Sequence, residues 1–433
     1  MHIPGPVLNI IERLLSSGFH ACVVGGAVRD ICMRRPVTDW DVATSATPED
    51  IKTVFKDQRC FSLKHETVTL VDSGRNYEIT TFRGSDRSEK TIESDLMCRD
   101  FTINSMAYDI RKDEILDPNR GRQDIQDKLV RAVGDPDSRF HEDPLRMLRA
   151  VRISTELGFK IDDRTLESIS SLSASISSIA LERVREELMK ILLCPRPSKG
   201  INLARRAGIL KEILPELIEG YRKKQNHYHR FTVYRHIMET VDKVEAEPAL
   251  RVAALLHDIA KPRVRKKVNG RFRFYDHEKE SAVLAKEILE RLKFSNEMRS
   301  KVINLIANHM VQYESEWSDG AVRRFMRRVG QENLDDLLRF RKADLIAHGI
   351  IDHKLVLLAE LSERIDVARK EKLIVSPHDL AVNGKDVMEI LGLSPGPEIG
   401  RVMDQLMERV TDSPELNTKE KLISILCAEK SEH

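Results

Sequence analysis

A chain of 433 residues can bury several hydrophobic cores, which excludes a single small domain and predicts roughly two to four. Charged residues are 32% of the chain and aromatics 5%, a balance that excludes a disordered or membrane protein and predicts a helix-rich one. A net charge of only +2 excludes a global basic field as the means of recruiting nucleic acid. Local clusters must do that work: Arg146, Arg149 and Arg152 at one place, then Arg323, Arg324, Arg327 and Arg328 at another.

In chain order, the opening MHIPGPVLNIIERLL reads as an amphipathic helix rather than a charged segment before a signal core. No apolar run is long enough to cross a bilayer, and a cytoplasmic enzyme is the expectation. The six cysteines (Cys22, Cys32, Cys60, Cys98, Cys194 and Cys427) form no C-x-x-C pair, which fits structural thiols in a reducing compartment. Residues 20 to 110 carry short β-rich runs, ACVVGGAV, ETVTLV and YEITTF, as in a small mixed sheet with helices. From about 140 onward the period becomes helical, as in PLRMLRAVRISTEL and LERVREELMKILL. The fold class expected is α+β, with boundaries near 220, at YRKKQNHYHR, and near 370, before SPHDLAVNGKDVMEILGL. The domains are then a head over 1–140, a helical neck over 141–220, a helical body over 221–369 and a helical tail over 370–433.

The first chemical constellation is Gly25-Gly26-Ala27-Val28-Arg29-Asp30, followed by Asp39-Trp40-Asp41. Two glycines at a strand-to-helix turn let backbone N–H groups approach a phosphate. Two carboxylates spaced by two on a strand leave the same face, roughly 6 to 7 Å apart. That spacing suits two Mg²⁺ ions serving phosphoryl transfer from a nucleoside triphosphate. Alone, Gly-Gly is an ordinary turn and D-x-D a solvated edge charge; their order and spacing favour the site. Glu78 is a candidate third carboxylate, and an outward strand residue explains it nearly as well.

GGAVRD, DWDVAT, CRDFTINSMAYD, EDPLRMLRAVR and ERVREEL, in this order between residues 25 and 188, together resemble the class II tRNA nucleotidyltransferase and bacterial poly(A) polymerase family. The resemblance implies a polymerase-β-type nucleotidyltransferase head followed by an all-α neck, with the tRNA 3′ end as partner and CTP and ATP as substrates. It implies that Asp39 and Asp41 are catalytic and hold Mg²⁺. Gly25, Gly26 and Arg29 would meet the triphosphate, and Arg99, Asp100 and Asn104 the nucleotide's sugar and phosphates. Glu142-Asp143-Pro144-Leu145-Arg146 matches the family's E-D-x-x-R element, whose Asp and Arg act as an amino-acid template for the incoming base. On a helix Asp143 and Arg146 are neighbours three apart, offering acceptor and donors together to a base edge. A carboxylate accepts from the exocyclic amine that C and A share. Arg149 and Arg152 continue the face and would meet phosphates; a surface salt bridge with solvated arginines is the alternative.

Two departures stand out. Cys98 occupies the place of the first of two family arginines, leaving Arg99 as the ligand match. The segment 84–98 is shorter than the flexible loop of CCA-adding relatives and resembles the branch that adds CC only.

Downstream, His236, His257-Asp258, His277, His309 and Asp344 supply N and O donors suited to one or two divalent transition metals. Their order resembles the HD phosphohydrolase superfamily, making 221–369 an HD body and implying phosphatase or cyclic phosphodiesterase activity. A metal-free RNA-binding scaffold is the alternative. Lys261 is a plausible phosphate contact, and His227, His229, His348 and His353 are expected to be bystanders. GAVRRFMRRVG could track an RNA backbone or be a solvated basic face. Two rivals remain: a poly(A) polymerase, disfavoured by a tail that is not notably basic, and an HD phosphohydrolase or RNA-binding protein with a decayed head.

Overall fold

The computed structural model describes residues 3–62, 66–72, 74–84, 90–225, 231–349, 352–370 and 379–430. His227, His229, residues 85–89 of the 84–98 segment and the expected boundary near 370 lie outside them. The fold class is α+β, and the chain forms two compact units, Met1–Pro215 and Glu216–His433.

The first unit is built on a seven-stranded sheet of order β3-β4-β5-β2-β1-β6-β7. Its strands are β1 (Ala21–Val24), β2 (Asp41–Thr44), β3 (Arg59–Ser62), β4 (Thr67–Asp72), β5 (Arg75–Thr81), β6 (Ala107–Asp109) and β7 (Glu114–Leu116). Only the β2–β5 pairing is parallel. All four β1 residues are buried, because alternate side chains leave opposite faces and both faces are covered. Val23 and Val42 join one core with Ile10, Ile11 and Leu14 of α1 (Gly5–Ser16) and Ile51 of α3 (Pro48–Val54). Cys22, Val24 and Ala43 join the other with Phe82 and Leu96. Between α1 and α3, α2 (Gly26–Cys32) follows β1 directly.

The unit continues with α4 (Ile92–Met97), α5 (Gly121–Asp127), α6 (Pro136–Glu142), α7 (Leu145–Leu157), α8 (Asp163–Leu172), α9 (Leu181–Leu192), α10 (Pro197–Arg206) and α11 (Ile209–Ile213). A short parallel pair, β8 (Leu129–Val130) with β9 (Lys160–Ile161), interrupts the helices. Helix α7 packs against α9 and α10 and buries Met147, Leu148, Val151 and Ile153.

After α12 (Pro215–Glu219), the second unit comprises α13 (Val233–Lys243), α14 (Pro248–Leu256), α15 (Lys261–Val264), α16 (His277–Arg291), α17 (Asn296–Asn308), α18 (Asp319–Val329), α19 (Leu334–His348) and α20 (Asp352–Lys370). Helices α21 (Gly384–Leu391), α22 (Pro397–Asp412) and α23 (Lys419–Lys430) follow and enclose their own small core of Val387, Leu406, Val410, Leu422 and Leu426. A hairpin, β10 (Lys266–Val268) with β11 (Arg271–Arg273), departs from the helical pattern. Its turn residues Asn269 and Gly270 both have positive φ, the geometry that an Asn-Gly pair favours between two strands. Among the described residues no helix is long and apolar enough to cross a membrane.

The basic run on α18 is engaged by neighbouring helices. Arg323 donates to the backbone oxygens of Thr411 and Asp412, Arg324 pairs with Asp412, Arg327 with Glu408, and Arg328 donates to Asn308. These arginines fasten α18 to α22 and α17. Gly320 permits the close approach, since a Cβ there would fall on the Asp412 carboxylate.

Candidate active site

β1 ends at Val24, which faces Asp41 across the antiparallel pair, and β5 sets Glu78 opposite Asp41 from the other side. The chain then turns at Gly25, whose φ is +72°, a conformation that costs a residue with a Cβ about 1–2 kcal/mol. A Cβ at Gly25 would also lie 3.0 Å from Arg99 Nη1 and 3.5 Å from Asp41 Oδ2. Glycine therefore keeps the space between a guanidinium and a carboxylate open. Burial, then the charges of Asp39 and Glu78, push Asp41 up to about 6 against the opposing pull of Arg99 and Arg149. Asp39 does not share the strand: β2 starts at Asp41, so strand alternation does not set the Asp39 direction, and only its charge bears on Asp41.

Gly25, Gly26, Asp41, Arg83, Arg99, Asp100, Asn104, Asp143, Arg146, Arg149 and Arg183 converge on a cavity of about 250 Å³. Within it most cations are held by buried acids. Asp95, fully buried on α4, takes Arg83 Nε at 3.0 Å on one oxygen and Arg99 Nη2 at 2.8 Å on the other. The i,i+4 spacing of Asp95 and Arg99 on the sequence is the only signal that could have found this pair, and Arg83 carried none.

Asp100 Oδ2 accepts from Arg149 at 2.8 and 2.6 Å, and Oδ1 accepts from the Phe101 N–H at 2.9 Å. Burial would raise this carboxyl, but the charge and hydrogen bonds of Arg149, the Phe101 amide and the charge of Arg146 hold it at about 2. Arg149 thus meets a carboxylate where a phosphate was expected. Arg29 is buried, forked on Asp30 and donating to Asn104 Oδ1 at 2.9 Å. It lies behind the cavity lining and orients Asn104 rather than facing the cavity itself.

Asp143 and Arg146 do not share a helix. Asp143 sits in extended backbone between α6 and α7, with φ −150° and ψ 98°, because Pro144 disfavours helical geometry in the residue before it. Its Oδ1 caps α7 through the Leu145 N–H at 3.1 Å, and its Oδ2 pairs with Arg183 of α9 at 2.9 Å. Arg146 pairs instead with Glu142 at 2.6 Å and donates to the Cys98 backbone oxygen at 3.4 Å. Both still reach the same cavity. Arg152 does not: it bridges Glu187 at 2.7 Å and Glu156 at 3.2 Å, outside the lining.

The second unit brings His236, His257, Asp258, His277, His309 and Asp344 together in its interior, all nearly inaccessible to solvent. Asp258 Oδ2 lies 3.3 Å from His257 Nε2 and 3.4 Å from His236 Nε2, and Oδ1 lies 3.4 Å from His277 Nε2. Asp344 Oδ1 lies 3.0 Å from His236 Nε2. The Nδ1 atoms of His257, His277 and His309 face backbone oxygens of Ala254, Phe274 and Ile306 at 2.9, 2.8 and 2.7 Å. In a neutral ring such a bond places the proton on Nδ1 and the lone pair on Nε2, the arrangement of a metal-ligating imidazole; His257 differs, because against burial the charges and hydrogen bonds of Asp258 and Asp344 push it up to about 9. Burial holds His236 at about 4, and holds His277 and His309 below the ordinary imidazole range, so these rings stay neutral at pH 7. His277 Nε2 and Asp258 Oδ1 are buried without a hydrogen-bond partner, which a cation between them would satisfy. Lys261 contacts Asp258 Oδ2 at 2.6 Å and Gln225 at 3.2 Å rather than standing open to a phosphate. His348 belongs to the cluster, within ligand distance of His236 and Asp344, whereas His353 is exposed on α20.

Comparison with known proteins follows the same map. Residues 21–131 match the poly A polymerase head domain family, 158–220 the family described as "Probable RNA and SrmB-binding site of polymerase A", and 274–426 tRNA nucleotidyltransferase domain 2. The CCA-adding enzyme of Ligilactobacillus salivarius is 31% identical, over 96% of this chain and 94% of its own length. That of Streptococcus thermophilus is 29% identical over 98% and 96%. The crystal structure of the Bacillus stearothermophilus CCA-adding enzyme in complex with CTP superposes with a TM-score of 0.76 at 27% identity, covering 99% of each chain. A CCA-adding enzyme solved with ATP shares the fold, with a TM-score of 0.63 at 19% identity. The chain belongs to the CCA-adding enzyme family and is a class II tRNA nucleotidyltransferase.

Proposed function

We propose that the chain adds C, and then A, to the 3′ end of tRNA from CTP and ATP without a nucleic-acid template. The observation that carries this reading is the convergence of Asp41, Arg99, Asp100, Asn104, Asp143 and Arg146 on one cavity. Asp39, Asp41 and Glu78 would hold Mg²⁺. Asp41, raised to about 6 by burial and then by the charges of Asp39 and Glu78, belongs to a hard-oxygen set that a divalent cation would relieve. An ion held there would supply activation of the attacking 3′-hydroxyl and neutralisation of the departing pyrophosphate. The Gly25–Gly26 backbone and Arg99, braced by Asp95, seat the triphosphate. Asn104, oriented by Arg29, and Asp100 face the sugar, with Arg149 placed to exchange Asp100 for a phosphate oxygen. Asp143 accepts from the amine of C or A while Arg146 donates to the same base edge. Asp39→Ala or Asp41→Ala is expected to abolish incorporation while leaving tRNA binding intact; normal incorporation by either variant refutes the assignment.

The short 84–98 segment favours a narrower specificity, addition of CC alone. Labelled CTP and ATP, offered to transcripts ending at the discriminator base, at C and at CC, separate the two: a halt after two C additions identifies a CC-adding enzyme. The relatives' names favour complete CCA addition, and ATP incorporation by ATP alone into any RNA would instead mark a poly(A) polymerase.

The buried histidine cluster favours a second activity, metal-dependent hydrolysis of a phosphoester. His236, His257, Asp258, His277, His309 and Asp344 would hold a divalent transition metal, which lowers the pKa of a bound water. Opening of a 2′,3′-cyclic phosphate to a phosphomonoester, or release of phosphate from a 3′-phosphorylated RNA end, by an Asp39→Ala variant is the test; the absence of both removes this reading and leaves the transferase untouched.

A further inference from the structure

His348 reads from sequence as a bystander, yet its surroundings are those of a ligand. It follows Asp344 by four residues on α19, so both side chains leave the same face of that helix. Its Nδ1 faces the Asp344 backbone oxygen at 2.8 Å, the same device that orients His257, His277 and His309. Its ring meets the His236 ring edge-on at 4.3 Å between centroids. Ligand atoms of His236, Asp344 and His348 lie within 4.8 Å of one another. At the other end, Asp258, His277 and His309 satisfy the same condition. His257 and Asp258 also group with His236, and Asp258 turns one oxygen toward His257 and the other toward His277.

Seven donors exceed what a single divalent ion takes from a protein, since four to six ligands fill the usual geometries. The second oxygen of Asp344 is engaged elsewhere: Arg341 Nη1 donates to Oδ2 at 2.6 Å, leaving Oδ1 3.0 Å from His236 Nε2 and 3.4 Å from His348 Nδ1.

We propose that His348 is a direct ligand, with Asp344 and His236, of a divalent transition metal at the Asp344 end of the cluster, beside a second ion held by Asp258, His277 and His309. This assignment rests on the metal-site reading above and extends it to a residue outside the six-donor pattern. It concerns binding and is read without turnover.

The test uses the full chain, stripped with chelator and titrated with Co²⁺, with metal content and the visible d–d spectrum as readouts. Wild type is expected to take up two ions. His348→Ala should weaken one of them by roughly 100-fold and alter the spectrum, while His277→Ala weakens the other. His348→Gln, which keeps a polar side chain, should behave as His348→Ala does, and the metal-free thermal unfolding of both His348 variants should match wild type. Unchanged uptake and spectrum in His348→Ala, or full rescue by His348→Gln, overturn the ligand assignment alone. A wild-type chain that binds no Co²⁺ overturns it together with the metal-site reading.

Discussion

Arg183 of α9 donates to Asp143 Oδ2 at 2.9 Å, tying the carboxylate placed to read a base to a helix that contributes no other charge to the cavity. Both Asp143 oxygens are engaged: Arg183 reaches Oδ2 at 2.9 Å and Oδ1 at 3.4 Å, and the Leu145 N–H donates to Oδ1 at 3.1 Å. Arg183→Ala leaves the cap intact but lets the free oxygen swing. Because a well-placed base contact is worth about 1–3 kcal/mol of discrimination, selectivity for CTP over UTP should fall by roughly tenfold or more. Arg183 is half exposed, so stability should change little, by less than about 1 kcal/mol. Competitive incorporation of the two nucleotides is the measurement; unchanged selectivity removes Arg183 from base reading.

The pair of Asp100 and Arg149 makes a prediction about acid. Asp100 is held at about 2 in the fold and returns to about 3.9 in the unfolded chain. A carboxyl depressed by folding stabilises fully above its unfolded value and loses that contribution as pH falls toward its folded value. About 2 kcal/mol should therefore disappear between pH 5 and pH 2. Asp100→Asn should flatten that part of the denaturant-derived stability profile, and an unaltered slope would falsify the assignment.

Gly25→Ala should fold and fail to catalyse. The added Cβ meets Arg99 Nη1 at 3.0 Å and takes a positive φ, at a cost of about 1–2 kcal/mol. Displacing a charge that seats the triphosphate by about 1 Å should lower kcat by roughly 100-fold. Circular dichroism with single-turnover kinetics separates the two effects: wild-type turnover would mean that Arg99 is not held against this turn during reaction.

The α18 arginines should be silent toward RNA. A phosphate contact lowers the slope of log affinity against log salt by about 1 when removed. Arg324→Ala with Arg327→Ala should leave that slope for tRNA as in wild type and lower thermal stability instead, since both side chains bind α22. A shallower slope with unchanged stability would restore the RNA-tracking role.

The sheet, the helical remainder and most cavity residues were legible because they depend on local pattern: a short apolar run in ACVV, Gly-Gly at a turn, an adjacent His-Asp pair, which the structure sets just past the end of α14 rather than on a helix. Pairings across distant elements were not. Nothing in the spacing of residues 143 and 183 announces an ion pair, and the helical period over 136–157 conceals the break that Pro144 makes at Asp143. The partners of the arginines were hidden for a related reason. Sequence displays charge but not its partner, and Arg29, Arg149 and Arg152 find carboxylates while the α18 arginines find carboxylates, backbone oxygens and the Asn308 amide. Asn269-Gly270 was legible and lost only because its neighbourhood was expected to be helical.

Asp95 has a consequence for how this family can vary. Arg83, before the 84–98 segment, and Arg99, after it, end on the two oxygens of that one buried carboxylate, and Ser94 Oγ adds a bond to the Arg83 backbone oxygen at 2.7 Å. Both ends of the 84–98 segment are thereby pinned to α4. Residues inserted between 84 and 91 should leave these bonds in place, since each doubling of a flexible loop costs only about 0.6 kcal/mol. If the segment sets nucleotide preference as proposed, insertion or deletion there would retune it without moving Arg99, the residue proposed to seat the triphosphate.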